Sequence, residues 1–173
     1  MRLCVLAALV GGAAPRDRDG ARPAGARRRR LDHPTFELAA TRTASDAAPL
    51  RNYGFAVGVD GDTIVSGAPG CDPVLPGQES CPIIIGSVYV LRASDGAQLA
   101  KLTASDGAAG DHFGHSVAID GDTVVVGARG VNTQTGAAYV FRTTDGWDTF
   151  AEVDKLTASD GSYEDLFGQS VAI

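Results

Sequence analysis

The chain has 173 residues, 44% of them hydrophobic but only 6% aromatic, and a net charge of -6 at pH 7, a composition that suits one globular domain. The charge is unevenly spread: residues 1–30 carry eight arginines against two aspartates (+6), while the remaining 143 carry seven Lys and Arg against 19 Asp and Glu (-12). So acidic a body argues against nucleic acid as a partner, because phosphate binding draws its affinity from clustered Lys and Arg; divalent cations or basic surfaces suit it better.

At the N-terminus, Met1 and Arg2 precede the apolar run Leu3–Val10 and then Gly11, Gly12, Ala13 and Ala14, the order of a secretory signal, expected over residues 1–14. The run is shorter than the ~20 residues a bilayer-spanning helix takes, so no transmembrane segment is expected. The protein is expected to be secreted or displayed on an extracellular surface. Residues 15–34 lack apolar periodicity and read as an Arg-rich disordered linker that cannot bury enough surface to offset the entropy of ordering. Within it, Arg27–Arg30 also has the composition of a processing site for a basic-specific protease.

From residue 35 onward the chain repeats. RTASDAAPLRNYGFAVGVDGDTIVSGAPG from Arg42, LTASDGAAGDHFGHSVAIDGDTVVVGARG from Leu102 and LTASDGSYEDLFGQSVAI from Leu156 align without gaps, 60 and then 54 residues apart. In each, the aspartate of Ser-Asp (Asp46, Asp106, Asp160) stands eight residues before the glycine of an aromatic-Gly pair (Gly54, Gly114, Gly168). Fixed offsets of this kind mark repeated supersecondary units, here near 42–101, 102–155 and a shortened 156–173.

The second unit predicts four short strands: 115–119, a hairpin turn at Asp120-Gly121-Asp122, then 123–128, 137–142 and 150–156. A four-stranded antiparallel unit of ~55 residues is a propeller blade in outline. The expected fold is therefore all-β, an incomplete β-propeller of about two full blades flanked by single strands at Thr35–Arg42 and Gln169–Ile173. Open blades leave apolar faces and strand edges uncovered, which invites self-association. The chain is expected to be a fragment of a longer repeat protein, with assembly of several chains into one ring as the alternative.

Phe113-Gly114, Val125-Val126-Gly127-Ala128 and Gly136-Ala137-Ala138-Tyr139-Val140-Phe141, with their counterparts Tyr53-Gly54, Val65-Ser66-Gly67-Ala68-Pro69 and Gly86-Ser87-Val88-Tyr89-Val90-Leu91, resemble the FG-GAP repeat, which also builds the N-terminal propeller of integrin α-chains. The resemblance covers residues 42–173. It implies a propeller whose loops between strands four and one, and between strands two and three, emerge on one side, the side that binds ligand in integrins. By position that face would carry Arg51, Asn52, Asp111, His112, Tyr163, Glu164 and Asp165 from the first loop type. Arg129 to Thr135, and the insertion holding Cys71 and Cys81, come from the second.

The resemblance also directs attention to calcium, which integrin blades hold between strands one and two. The matching positions are Asp60, Asp62, Asp120 and Asp122. Calcium takes about six to eight oxygens, and two aspartates around one glycine fall short, so a plain hairpin turn is expected and no cofactor. Cys71 and Cys81 lie among Pro69, Pro73, Pro76 and Pro82 with too few further ligands for a metal, and are expected to form a disulfide. Asp111-His112-Phe113-Gly114-His115-Ser116 holds the residue types of a hydrolytic triad. On an extended strand, however, residues 112 and 115 point to opposite faces, and the same slots hold Asn52 and Phe55, Leu166 and Gln169. No catalysis is expected. The expected function is an extracellular binding or adhesion module for a protein or glycan, with a structural spacer, or an accessory part of a larger secreted hydrolase, as alternatives.

Overall fold

A computed structural model describes residues 41–46, 52–70, 85–143, 145–146 and 149–173. It contains two four-stranded antiparallel sheets of identical order. The first is β1 (Val57–Asp60), β2 (Thr63–Ala68), β3 (Ser87–Arg92) and β4 (Gln98–Leu102); the second is β5 (Phe113–Asp120), β6 (Thr123–Ala128), β7 (Ala137–Arg142) and β8 (Ala151–Leu156). Each strand pairs with its sequence neighbour, so each sheet is one up-and-down blade. The fold class is the expected incomplete propeller. Among the described residues, no helix is long and apolar enough to cross a membrane.

Local chemistry accounts for the matching registers. Asp60 pairs with Thr63 and Asp120 with Thr123, leaving two-residue turns in which Gly61 and Gly121 both take φ of 53°. Glycine at the first central position, with the following aspartate at negative φ, is the arrangement of a II′ hairpin, whose twist matches the flanking strands. Further out, the ladder slips at Val90/Leu91 in one sheet and at Val140/Phe141 in the other. The same irregularity thus recurs at equivalent places.

Packing follows from the period of two along each strand. Val65, Val88, Val90 and Leu102 turn one face of the first sheet toward the second, where they meet Phe113, Val124, Val126, Tyr139 and Phe141 in one buried cluster. Ile64, Ala68, Tyr89 and Leu91 turn the opposite way and are covered by Ala44 and Tyr53. Burying each such side chain contributes roughly 1.5–3 kcal/mol. Because both faces of the middle strands are covered, β2 is buried along its whole length, which explains why its sequence runs apolar rather than alternating.

Side chains alone do not hold the blades together. A β-carbon on Gly67 would lie 2.1 Å from the Gly114 carbonyl oxygen, and one on Gly127 would lie 1.9 Å from that of Gly168. The Gly of one unit's Gly-Ala pair is thus where the main chain of the next unit's aromatic-Gly pair comes to rest. That close approach requires glycine at both positions.

One expected strand differs from the structure, and a second falls mostly outside the described residues. Gln169–Ile173 forms no strand: Phe167 makes an isolated parallel bridge with Gly136, and the residues after it have no assigned ladder partner. Of Thr35–Arg42, residues 35–40 lie outside the described residues, and Thr41 and Arg42 are not in a strand. Burial records the same asymmetry. Leu102, with a full blade over it, is 4% exposed, whereas its repeat equivalent Leu156 is 42% exposed.

Candidate ligand-binding face

The loops that enter and leave the blades meet on one side, where hydrogen bonds fasten them at three places. Before β1, the Asn52 side-chain amide donates to the Gly70 carbonyl at 2.6 Å. Before β5, Gly130 N–H donates to the Asp111 carbonyl at 3.0 Å. In the third unit, Leu166 and Phe167 N–H donate to the Gln134 and Thr135 carbonyls at 3.0 and 2.9 Å. Each loop between strands two and three is therefore fastened to a loop leading into a first strand.

This arrangement places Asn52, Asp111, His112 and Arg129 at loop junctions on that side, with Tyr163, Glu164 and Asp165 exposed on the third such loop. Arg51, Cys71 and Cys81 lie outside the described residues. The loop after β6 adds Asn132, Thr133 and Gln134, all exposed and all at positive φ, 49°, 53° and 70°. Three consecutive non-glycine residues in the left-handed region carry a strain of roughly 1–2 kcal/mol each. Nothing in the sequence Val-Asn-Thr-Gln-Thr-Gly announces it.

His112 lies in the loop the sequence expects, but not on the extended backbone that the opposite-face reading requires. It precedes β5 at φ 56°, as Asn52 and Leu166 do at 53° and 54°, and its carbonyl accepts the His115 N–H at 3.0 Å to close a turn. The β5 ladder also slips between Phe113 and Ser116, so the strict alternation expected for residues 112 and 115 does not apply there. The two histidines still part company. The His115 ring packs on Phe55 at 4.9 Å between centroids, whereas His112 Cδ2 lies 3.0 Å from where a β-carbon on Gly130 would be.

In the first two units the recurring Ser-Asp pair proves to be a latch onto the outer strands of its own unit. Tyr139 of β7 donates its hydroxyl to Asp106 Oδ1 at 2.8 Å, and Lys155 of β8 donates to Asp106 Oδ2 at 2.5 Å. Lys155 also stands 5.1 Å from the centre of the Tyr139 ring. Ser105 adds its N–H and hydroxyl to the Glu152 carboxylate at 2.8 and 2.9 Å. One unit earlier, Asp46 takes Tyr89 at 2.5 Å and Lys101 at 2.6 Å, while Ser45 N–H reaches Gln98 Oε1 at 3.4 Å. The segment that follows one blade's outer strand therefore clamps the two outer strands of the next.

Charge in the latch is tuned by these contacts. The Lys155 ammonium and the Tyr139 hydroxyl hold the Asp106 carboxyl below the usual carboxylate value. Burial, together with the neighbouring Asp106, pushes the Tyr139 phenol up to about 12. Burial pulls Lys155 down, but its bonds to Asp106 and Tyr139 outweigh that and raise it. Repetition of the Ser-Asp pair was visible in the sequence; its partners, 33 and 49 residues away, were not.

On the opposite side, the hairpin tips and the β3–β4 turn enclose an open depression of about 730 Å³ lined by Asp60, Asp62, Asp122, Arg92, Leu99 and Thr143. Its carboxylates are already engaged. Asp60 Oδ2 accepts Gly121 N–H at 2.8 Å across the blade boundary, and Asp62 takes both the N–H and hydroxyl of Ser94 at 2.7 Å. Asp122 accepts the Thr123 hydroxyl at 2.7 Å and faces Arg142 at 3.8 Å. Among the described residues, no three His, Cys, Asp or Glu side chains converge as a metal site would need.

A family model described as the FG-GAP repeat matches the sequence in three stretches, residues 37–91, 96–141 and 150–173. No curated protein matches it.

Proposed function

The chain belongs to the FG-GAP repeat family, and on that premise we propose that it is an extracellular binding module, without catalysis of its own, that presents the loop face to a protein or glycan ligand. The observation that carries this reading is the threefold fastening of loops on one side of the blades. A scaffold that spends main-chain hydrogen bonds on fixing loops, while the residues on them differ from unit to unit, holds contacts in place for recognition. Asn52, Asp111, His112, Arg129, Asn132 and Thr133 supply amide, carboxylate, imidazole, guanidinium and hydroxyl groups there. The acidic body makes a basic or neutral ligand surface the better match.

The test uses the full chain on arrays of secreted and cell-surface proteins and of glycans. A ligand whose binding falls at least roughly tenfold, or 1.4 kcal/mol, in Asp111→Ala and Arg129→Ala, with the circular dichroism unchanged, supports the loop face. Binding that survives those changes but is lost on altering the hairpin face through Asp62→Ala would overturn it. The absence of any array signal from the folded chain would favour a spacer role.

A further inference from the structure

The loop from β8 into the third unit carries a side chain that packing does not use. Tyr163 is 66% exposed, more than any other large hydrophobic residue described. The equivalent positions are Ala109 in the second unit and Pro49 in the first, so the scaffold has no need of a phenol there. Its neighbour Glu164 sits at φ 69°, where the second unit has Gly110 at 89°. A carboxylate thus occupies a position whose backbone favours glycine, and strain of that kind is kept where the side chain has a use.

Around the phenol, acidic groups are close in sequence and basic ones absent: Asp160, Glu164 and Asp165 flank it, and residues 156–173 contain no Lys or Arg. Asp165 fixes the presenting turn, its Oδ2 accepting Ser162 N–H at 2.6 Å and its own N–H reaching the Ser162 carbonyl at 3.2 Å. The Glu164 carboxylate beside the phenol holds it above the usual tyrosine value, so an enzyme using this oxygen must bring its own base.

We propose that Tyr163 is a site of enzymatic O-sulfation. The Tyr163 oxygen attacks the sulfur of an activated sulfuryl donor, a phosphosulfate mixed anhydride of an adenine nucleotide. An O–S bond forms, the bond from sulfur to the donor phosphate oxygen breaks, the nucleotide leaves, and the phenolic proton passes to the transferase's base. A cleft that binds so anionic a donor is positive, and acidic residues beside the acceptor are drawn to it. Sulfate rather than phosphate rests on the extracellular reading above, which sends the chain through the secretory lumen. The product would be a fixed negative charge beside Glu164 and Asp165, on the proposed ligand face, suited to paired arginines on a partner.

Cleavage after Lys155 gives a peptide from Leu156 to Ile173 in which Tyr163 is the one tyrosine. Full-length unmodified protein incubated with a Golgi-lumen extract and sulfur-labelled donor should gain label and one sulfuryl mass in that peptide. Tyr163→Phe should abolish the gain, and Glu164→Gly with Asp165→Asn should slow it by roughly tenfold. No label in the peptide, while an acidic tyrosine control peptide is labelled in the same extract, overturns the proposal; so does transfer from labelled ATP alone. The assay does not depend on export, so failure of the extracellular reading is scored separately, by whether cells release the full chain.

Discussion

Replacing Asp106 by alanine should cost about 2–3 kcal/mol, because the fully buried Tyr139 donates its hydroxyl to that carboxylate and a hydrogen bond to a charged group contributes about 1.5–3 kcal/mol. The Lys155 ion pair adds little, about 0.5 kcal/mol, since both side chains are partly in water, 28% and 53% exposed. Lys155 keeps its place over the Tyr139 ring, so that contribution survives the change. Urea unfolding followed by circular dichroism measures the loss directly, and a cycle with Tyr139→Phe isolates the latch. If the clamp acts as described, Asp106→Ala costs much less in the Tyr139→Phe background, with a coupling of about 1–2 kcal/mol. A coupling below about 0.5 kcal/mol would refute the reasoning and leave the recurrent Ser-Asp pair as turn chemistry.

The same latch fixes a pH dependence. Asp106 has a lowered folded-state pKa, so its stabilisation is fully present above its unfolded value and is lost as pH falls through the folded one; the advantage of the native chain over Asp106→Asn should shrink in acid denaturation curves below about pH 4. At the other end, Tyr139 rises from 10.0 to about 12, so stability should decline as pH climbs from its unfolded value through its folded one, and Tyr139→Phe should remove that decline in alkaline melts. Glu164→Gly should stabilise the chain by about 1 kcal/mol, since it relieves a positive φ of 69°; no gain in thermal melting would mean the strain is absent. Gly67→Ala should cost about 3 kcal/mol, because the new carbon would lie 2.1 Å from a main-chain oxygen of the next blade, and an unchanged urea midpoint would contradict that. Millimolar calcium should leave the melting temperature unchanged, given that Asp60, Asp62 and Asp122 already hold protein partners; a rise of several degrees, lost in Asp62→Asn, would reverse that expectation.

Where local chemistry decides structure, the sequence was legible. The strands at 123–128 and 137–142 coincide with β6 and β7, because a glycine-containing turn and an apolar run bounded by glycines leave few other registers. The start of β5 was missed by two residues, since Phe113 pairs with Ala128 across a ladder slip before Ser116 that periodicity cannot foresee. The slot shared by His112, Asn52 and Leu166 invited a chemical reading, yet its common property is a left-handed backbone. The latch was out of reach for a different reason. Its donors sit 33 and 49 residues further along the same unit, and only the folded blade brings Tyr139 and Lys155 to Asp106.

The contact of Gly67 with Gly114, and of Gly127 with Gly168, joins main chain to main chain. At these points the approach of one blade to the next is therefore limited by main-chain atoms. A ten-residue difference between the loops after β2 and β6 accordingly coexists with the same strand order in both sheets. Such a joint lets copies of the unit be added, and their loops be rewritten, without renegotiating the geometry of the ring they build.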